Sequence, residues 1–349
     1  MKVAIIIPTM NRPDFILRHF EFYELINSPH PIYISDSSNE ENAEKIKNGI
    51  KKFKKLDIVY QWAPPGKDYL YQLIPLIKEK YCIQIGDDDL IIPKTMSECA
   101  DFLENNPDYA TCAGKQINVR FREEDYNKSR GLVGRATLPM GRSIEDEDML
   151  VRVKNFWSDT NFICFAVRRT EIETKIRNAT KVFSLMEPLL EVILWSMLIV
   201  YGKAKIIDKV GYIMQISNNR GFSTDLAIDT MLSPSITEKW GACQNGLSEL
   251  LRGQGVSEEE SRNISKWIFI LYLANKFTYE TSWRSYGLPK NIHTEQEASK
   301  KARSLIGRLP LLKRIYYKYK PPKDASRPES KYFRDYKAVK DFLEKEYKS

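Results

Sequence analysis

Apolar runs of strand length alternate with amphipathic stretches over the first ninety residues of the chain. Buried strands are continuous apolar runs, whereas helices place apolar residues three and four positions apart. By these rules the predicted strands are 2–7, 32–34 and 57–62, and each is followed by a predicted helix, at 15–25, 41–55 and 69–80. This alternation predicts an α/β fold, with a mostly parallel sheet that is flanked by helices.

A fourth apolar run, residues 81–85, ends in Gly86 and in three consecutive acids, Asp87, Asp88 and Asp89. Glycine frees the backbone at the point where the chain must leave the sheet. Three adjacent carboxylates repel one another unless a cation or hydrogen-bond donors compensate them, and hard divalent cations prefer carboxylate oxygens. Taken alone, the pattern fits a solvated acidic turn equally well, because an Asp-x-Asp sequence is short and common.

Polar loops follow three of the predicted strands, at residues 9–12, at Asp36 and at residues 87–89. Ligands of open α/β sheets bind outside the carboxyl ends of the strands, so we expect these loops to meet in one crevice. Such a crevice could bind a nucleotide. A carboxylate would accept hydrogen bonds from the base or ribose, a loop would surround the nucleoside, and a cation held by the acids would neutralise the diphosphate. The chain contains neither a Gly-x-Gly-x-x-Gly sequence after the first strand nor a P-loop sequence, which disfavours those two nucleotide-binding classes.

Three short motifs close these predicted strands. They are Ile-Ile-Ile-Pro-Thr-Met-Asn-Arg at 5–12, Ile-Ser-Asp-Ser-Ser at 34–38 and Gln-Ile-Gly-Asp-Asp-Asp at 84–89. In order and spacing they resemble the nucleotide-sugar half of the family 2-type glycosyltransferases of GT-A fold. The resemblance covers 2–92 well and continues more weakly to about residue 225. It implies an inverting transferase that uses a nucleotide-diphosphate sugar together with Mn²⁺ or Mg²⁺.

The resemblance also implies roles for individual residues. Asp36 would contact the nucleotide base, Asp87 the ribose or sugar, and Asp89 the divalent metal. Asp88, which lies between Asp87 and Asp89, would belong to the same donor site and have a mainly structural role. The remaining predicted donor-site residues are Pro8, Thr9, Asn11, Arg12, Lys67 and Arg220.

The segment 217–223 corresponds to a region where family members often place a residue, frequently His, that contacts metal or phosphate. This chain has no His there. Asn218, Asn219 or Arg220 would contact the diphosphate instead, since Arg offers a charge-assisted fork for phosphate oxygens. A plain glycine turn at Gly221 is an equally good interpretation.

Residues 115–158 show no clear period and many charges. A long, polar, irregular insertion in a compact domain is more often a functional loop than core. By the resemblance this region shapes the acceptor pocket, so Trp157 and Asp159 are candidates for sugar stacking and hydrogen bonding. The alternative is that Trp157 anchors the loop in the core, because Trp is usually well buried.

A helix predicted to start at Pro188 carries the candidate catalytic base. Glu187 and Glu191 are the only charged side chains between residues 184 and 201, and a partly desolvated carboxylate is suited to take the proton from an acceptor hydroxyl. The family usually shows an acidic pair at this helix start and relies on the second acid, which here is Pro188. We therefore expect Glu187 to be the base and Glu191 to be its rival.

A purely structural part for these carboxylates is the other alternative. Either of them would then cap the helix or pair with an arginine such as Arg168 or Arg169.

From residue 235 onward the pattern predicts helices without strands, which divides the chain into a GT-A domain at 1–232 and a helical domain at 233–349. Residues 300–349 carry 16 Lys and Arg against 6 Asp and Glu, so the basic character belongs to the tail and argues weakly against nucleic-acid binding. Residues 304–320 mix apolar, aromatic and basic side chains, which suits contact with an anionic bilayer. A solvated helix packed on the protein is slightly favoured, since Pro310 interrupts the apolar face.

The sequence shows neither a signal-peptide pattern nor an apolar run of membrane-spanning length, which predicts a cytoplasmic protein with a possible peripheral membrane contact through 304–320. The predicted function is transfer of a sugar to a glycan or lipid-linked glycan acceptor in bacterial surface polysaccharide or capsule synthesis. One alternative is a catalytically inactive subunit of a polysaccharide assembly complex, because the second acid is missing at Pro188. Another is a sugar-1-phosphate nucleotidyltransferase, although residues 8–13 lack the glycine-rich loop of that class.

Overall fold

The computed structural model describes residues 1–64, 70–125, 127–138, 141–157, 165–180, 188–216, 231–283, 325 and 327–345. The strands are β1 (Val3–Thr9), β2 (Ile32–Asp36), β3 (Ile58–Trp62), β4 (Tyr81–Gln84), β5 (Leu90–Ile91), β6 (Tyr109–Phe121), β7 (Val133–Thr137), β8 (Val167–Arg169) and β9 (Lys203–Gln215). The helices are α1 (Pro13–Leu25), α2 (Glu40–Ile50), α3 (Leu70–Leu73), α4 (Pro93–Asn105), α5 (Met149–Trp157), α6 (Thr170–Ala179), α7 (Pro188–Val200), α8 (Ile236–Arg252), α9 (Glu258–Trp283) and α10 (Phe333–Leu343).

The strands form a single mixed sheet in the order β3-β2-β1-β4-β8-β6-β9-β5, and β7 pairs with β6. β3, β2, β1 and β4 run parallel, and so do β6 and β9. The pairs β4–β8, β6–β8, β6–β7 and β5–β9 are antiparallel. Helices flank the sheet, so the predicted α/β class is confirmed.

Apolar side chains form a large core on one face of the sheet and a second core under the later helices. The first core joins α1, α2 and α4 to the sheet and also includes α10, whose Phe342 ring lies 5.1 Å from that of Phe22 in α1. The second core joins α5 to α9. The helices after residue 232 therefore pack on elements that precede it, and the predicted domain boundary stays a prediction. Within the described ranges, no helix combines the length and the apolar composition needed to cross a bilayer.

Helix α10 also binds the loop that precedes β7. The Gly131 amide donates to the Leu343 carbonyl at 3.3 Å, and the Val133 amide donates to Glu344 Oε1 at 3.0 Å. Arg130 forms an ion pair with Glu21 of α1, and its guanidinium lies 4.4 Å from the Phe342 ring centroid. The last described helix therefore fixes a loop close to the start of the fold.

The prediction of an irregular insertion at 115–158 is wrong for about half of its length. β6 continues to Phe121, β7 returns beside it, and α5 follows. The side chains of Ile117, Val119 and Phe121 are buried, so a period of two was present. The residues between these positions, Asn118 and Arg120, are more exposed, so the alternation was visible in the sequence.

Two other predicted elements differ in length. The helix expected at 69–80 is described only as α3 and a 3₁₀ turn at Ile74–Leu76, because Pro75 cannot donate a backbone hydrogen bond. β9, in contrast, is a long strand that runs through Gly211. A Cβ on Gly211 would lie 2.8 Å from the Gly114 Cα of β6, so this close strand contact requires glycine.

A buried ion triad joins α6 to the sheet. Glu173 is 1% exposed, and its two carboxylate oxygens accept hydrogen bonds from Arg168 and Arg177 at 2.6 Å each. Arg177 also donates to the side-chain oxygen of Gln84 at the end of β4. Burial alone would raise the pKa of Glu173, but the two guanidinium groups outweigh it and lower the pKa from 4.5 to about 2.

Replacing Glu173 with Gln should destabilise the protein by roughly 3–5 kcal/mol, because two buried cations lose their counter-charge. Since its pKa is lowered on folding, the Glu173 carboxylate stabilises the native protein above about pH 4.5, and this contribution is lost as the pH falls towards 2. Urea denaturation between pH 7 and pH 3 measures both effects. The matched control is Glu171→Gln on the exposed face of the same helix; equal losses in the two variants would contradict the assignment.

Candidate functional site

The parallel register of β1, β2 and β4 brings the three predicted loops to one edge of the sheet. Thr9 is the register partner of Asp36, and the Ser37 amide donates to the Thr9 carbonyl at 3.0 Å. On the other side of β1, the Thr9 hydroxyl donates to Asp87 Oδ2 at 2.8 Å. The predicted convergence of these loops is therefore observed.

The first loop is locked to the loop after β2. Asn11 has φ = 57°, a left-handed conformation that Asn adopts more readily than most residues. Its amide donates to Ser38 Oγ at 2.7 Å, and its side-chain oxygen accepts from the Asn39 amide at 2.9 Å. The side chain of Asn39 in turn caps α2 through the Asn42 amide. One residue thus sets the relative position of two of the predicted donor-site loops.

Asp36 is 1% exposed and is held by donors of the chain itself. Its Oδ1 accepts from the Ser38 amide at 2.8 Å, and its Oδ2 accepts from the Tyr60 hydroxyl at 2.6 Å. The carboxylate therefore shapes the loop that faces the crevice. Its contact with a nucleotide base stays a prediction.

The acid cluster, by which we mean Asp87, Asp88 and Asp89, follows β4 directly. Asp87 is 7% and Asp89 4% exposed, whereas Asp88 is more open. Asp89 Oδ1 accepts from the Gln215 amide at 2.9 Å, and Oδ2 accepts from the Tyr212 hydroxyl, both in β9. A Cβ at Gly86 would lie 2.9 Å from oxygens of Asp88 and Asp89, so a larger residue there would displace one or both carboxylates.

Burial and mutual repulsion alter the acidity of the cluster. Burial raises the pKa of Asp87 to about 6, against the opposing effect of Arg12. Burial, reinforced by the negative charge of Asp88, raises the pKa of Asp89 well above its usual range. The cluster therefore favours positive charge beside it.

Two arginines of the α1 region supply that charge in different ways. Arg12 forms ion pairs with Asp87 and, at 3.3 Å, with Asp88, and its guanidinium carbon lies 3.9 Å from the Phe15 ring centroid. Arg18 is 2% exposed, and its Nη1 donates to the Ser129 carbonyl and to Gln215 Oε1 at 2.6 Å each. Burial lowers the pKa of Arg18 to about 10, which still leaves it cationic at neutral pH.

His19 supports the acid cluster from the same helix. Its Nε2 lies 3.0 Å from the Asp87 carbonyl oxygen, and because a carbonyl only accepts, Nε2 must carry the hydrogen. Burial, together with the charge of Arg18, lowers the pKa of His19 to about 3, so the ring is neutral. Its Nδ1 has no hydrogen-bond partner among the described residues. His19 therefore orients the backbone of Asp87 without adding charge.

Four residues that support the acid cluster were not predicted from the sequence: Arg18, His19, Tyr212 and Gln215. For Arg18 and His19 a signal existed, because both interrupt the apolar pattern of α1, where Ile16 and Phe20 are fully buried. Buried polar positions in an apolar helix face require partners. For Tyr212 and Gln215 no local signal existed, since their partner Asp89 lies more than a hundred residues earlier.

The chemistry of the acid cluster fits a divalent cation. Carboxylate oxygens are hard ligands, and each engaged oxygen of Asp89 keeps a second lone pair. Over the described ranges, however, no three His, Cys, Asp or Glu side chains are arranged around one metal position. The guanidinium of Arg12 lies on Asp87 and Asp88 instead. A cation therefore fits here only after Arg12 has moved.

The other predicted site residues divide into two groups. Lys67, Asp159, Glu187 and Arg220 lie outside the described residues, as do Asn218, Asn219 and the segment 304–320. Pro8 is half-buried at the end of β1, and Glu191 is half-buried in the first turn of α7. The roles predicted for these residues stay predictions.

Trp157 is placed in the second core, which is the alternative that the sequence also allowed. It is 4% exposed, its Nε1 donates to Ser196 Oγ at 3.1 Å, and the rings of Phe156, Trp195 and Tyr272 surround it. In this position its ring faces are covered by protein, so we do not include Trp157 in the proposed site.

Arg168 and Arg169, the arginines considered for the base candidates, both have other contacts. Arg168 binds Glu173, and Arg169 donates to the carbonyls of Tyr109 and Leu103.

Comparison with known proteins finds only remote likeness. No family model and no curated protein matches the chain. Among solved structures, the chain is similar to residues 1–349 of S. aureus TarS, with 12% identity and a TM-score of 0.43 over 82% of this chain and 92% of that chain. The same TarS fragment in complex with UDP-GlcNAc gives 12% identity, the same coverage and a TM-score of 0.44. Its complex with UDP gives 12% identity, again with that coverage, and a TM-score of 0.41.

The two arginines are expected to differ in their contribution to stability. Arg18→Met leaves buried acceptors and carboxylates without their cation, so it should lower the free energy of unfolding by roughly 3–5 kcal/mol. Arg12→Gln removes a part-buried ion pair but leaves Asp87 with the hydroxyl of Thr9, so it should cost less, about 1–2 kcal/mol. Urea denaturation of both variants measures the difference. Equal losses would contradict the distinction between a fixed and a loosely held guanidinium.

Proposed function

We propose that the protein is a glycosyltransferase that moves a sugar from a nucleotide-diphosphate donor to a hydroxyl of a glycan or lipid-linked glycan acceptor. The observation that carries this proposal is the meeting of Thr9, Asp36 and the acid cluster at one sheet edge. β1 lies between β2 and β4 in the sheet. The strands that follow β1 in the chain are therefore placed first on one side of it, as β2 and β3, and then on the other side, as β4. Ligands of α/β sheets bind at such a switch point.

The donor site is proposed to have two parts. The loops fixed by Asn11 and Asp36 would receive the nucleoside, because these contacts hold both loops at the same edge of the sheet as the acid cluster. The diphosphate and sugar would lie over the acid cluster, with Arg12 available to the phosphate oxygens. Lys67 and Arg220, which follow β3 and β9, are proposed as further phosphate contacts.

The proposed reaction is a single displacement with inversion. Asp89, with Asp88 beside it, would hold a Mn²⁺ or Mg²⁺ ion, which supplies Lewis-acid stabilisation of the leaving diphosphate when bound. The acceptor oxygen forms its bond to the anomeric carbon as the bond to the diphosphate breaks. Its proton passes to the Glu187 carboxylate, and Glu191, one turn into α7, is the rival base.

The setting that we propose is bacterial surface polysaccharide or capsule synthesis at the cytoplasmic face of the membrane. The basic and aromatic segment 304–320 would contact an anionic bilayer there. This contact would place the enzyme next to lipid-linked acceptors.

Asp89→Asn tests the donor half of the proposal. With a panel of nucleotide sugars and Mn²⁺, the wild-type protein should hydrolyse its donor slowly, and the variant should lose this activity by about 100-fold or more because the leaving diphosphate is no longer stabilised. The measurement is release of nucleoside diphosphate. Asp101→Asn, a change of the same kind on the exposed face of α4, is the control.

Two other results would exclude the proposal. If calorimetry, as a separate measurement, detects no binding of any nucleotide sugar or nucleoside diphosphate, the transferase function is wrong. Release of pyrophosphate from a nucleoside triphosphate and a sugar 1-phosphate would instead identify a nucleotidyltransferase.

The assignment of the base is tested separately. Glu187→Gln should reduce sugar transfer by roughly 100-fold or more while donor binding is retained, since a general base typically contributes a factor of that order. Glu191→Gln should retain most of the transfer. Steady-state transfer with a matched acceptor measures both; the opposite result would assign the base to Glu191.

A further inference from the structure

Arg12 differs from the other cation of the site in what holds it. The hydrogen bonds of its side chain within the described residues go to carboxylates alone, those of Asp87 and Asp88, and its guanidinium also lies over the ring of Phe15. Arg18, in contrast, donates to the Ser129 carbonyl and to Gln215 Oε1 in addition to its long contact with the Asp87 carbonyl. Fixed neutral acceptors therefore retain Arg18, whereas among the described residues the acid cluster and the Phe15 ring are what hold the guanidinium of Arg12.

The position of Arg12 also permits movement. It is the residue that precedes the first turn of α1, and 18% of its side chain is exposed. No backbone group within the described residues binds its guanidinium. A side chain held in this way can leave its partners without disturbing the helix behind it.

A divalent cation on the acid cluster would compete directly with this guanidinium. Both positive groups need the Asp88 carboxylate, because Arg12 pairs with it at 3.3 Å and the proposed ion would be held by Asp88 together with Asp89. Two cations on the same carboxylates also repel each other in a buried site. Occupancy by the metal and occupancy by Arg12 are therefore expected to exclude one another.

We propose that Arg12 is an exchangeable counter-ion of the acid cluster, which a divalent cation displaces and which then binds the diphosphate of the nucleotide donor. The second half of this statement rests on the proposed function, whereas the first half concerns only the cation and this chain. The Phe15 ring lies 3.9 Å from the guanidinium carbon and keeps the released group near the site. The protein therefore keeps the cluster neutralised before the donor arrives and reuses the same charge afterwards.

The first arm of the test measures Mn²⁺ binding without any nucleotide, by electron paramagnetic resonance of the free ion. Arg12→Gln should bind Mn²⁺ about tenfold more tightly than the wild-type protein, because the competing cation is gone. Arg12→Lys should fall between them, since an ammonium cannot bridge two carboxylates as a guanidinium does. Arg262→Gln, which removes one charge from an exposed ion pair on α9, should leave the affinity unchanged.

The second arm measures binding of UDP and GDP by calorimetry at saturating Mn²⁺. Arg12→Gln should bind the preferred nucleotide about tenfold more weakly, because one charge-assisted contact with the diphosphate is lost. The expected signature is therefore two opposite changes in one variant, tighter binding of Mn²⁺ and weaker binding of the nucleotide. A purely structural role of Arg12 would weaken both.

Each remaining outcome decides the proposal. Unchanged or weaker Mn²⁺ binding in Arg12→Gln overturns it, and so does the absence of Mn²⁺ binding in both wild-type protein and variant. If Mn²⁺ binds more tightly to the variant but neither protein binds any nucleoside diphosphate, the role of Arg12 as an exchangeable counter-ion is supported. The proposed function and the second half of the inference are then wrong.

Discussion

Three consecutive carboxylates, two of them almost fully buried, are the constraint on which the rest of the site depends. Their repulsion and desolvation would drive protons onto the cluster or force the turn open unless other groups compensate them. The fold compensates them from three directions. Thr9 donates from β1, Tyr212 and Gln215 donate from β9, and positive charge comes from the α1 region.

This arrangement explains why the elements around the acid cluster are placed as they are. β5, the two-residue strand just after the acids, pairs with β9 and holds Tyr212 opposite Ile91. That pairing keeps the β9 donors beside Asp89. Helix α1 then crosses behind the turn, where Arg18 and His19 both reach the Asp87 carbonyl. The acid turn is therefore supported on the sheet side and on the helix side, and its open side faces the crevice.

The sequence allowed the class of the fold and the edge of the site to be predicted, since both follow from local patterns. A strand that ends in polar residues is visible in the residues themselves, as at Asp36 and Asp87. The supporting contacts were not predictable in this way, because Gln215 and Tyr60 acquire their partners only through sheet pairing. The same limit applies to Trp157, whose burial depends on α7 and α9 covering it. In β6, in contrast, the alternation of buried Ile117, Val119 and Phe121 with Asn118 and Arg120 was present in the sequence and could have predicted the strand.

The packing of α10 on α1 has a consequence for how the protein is made. The loop whose Ser129 carbonyl accepts from Arg18 is the same loop whose Gly131 amide binds Leu343. During synthesis the first strands and helices leave the ribosome long before residues 333–343 are available, and domains begin to fold as they emerge. Until α10 arrives, the loop that helps to hold Arg18 lacks its last support. The acid cluster is therefore expected to reach its final form only after residues 333–343 have been synthesised and have packed on α1.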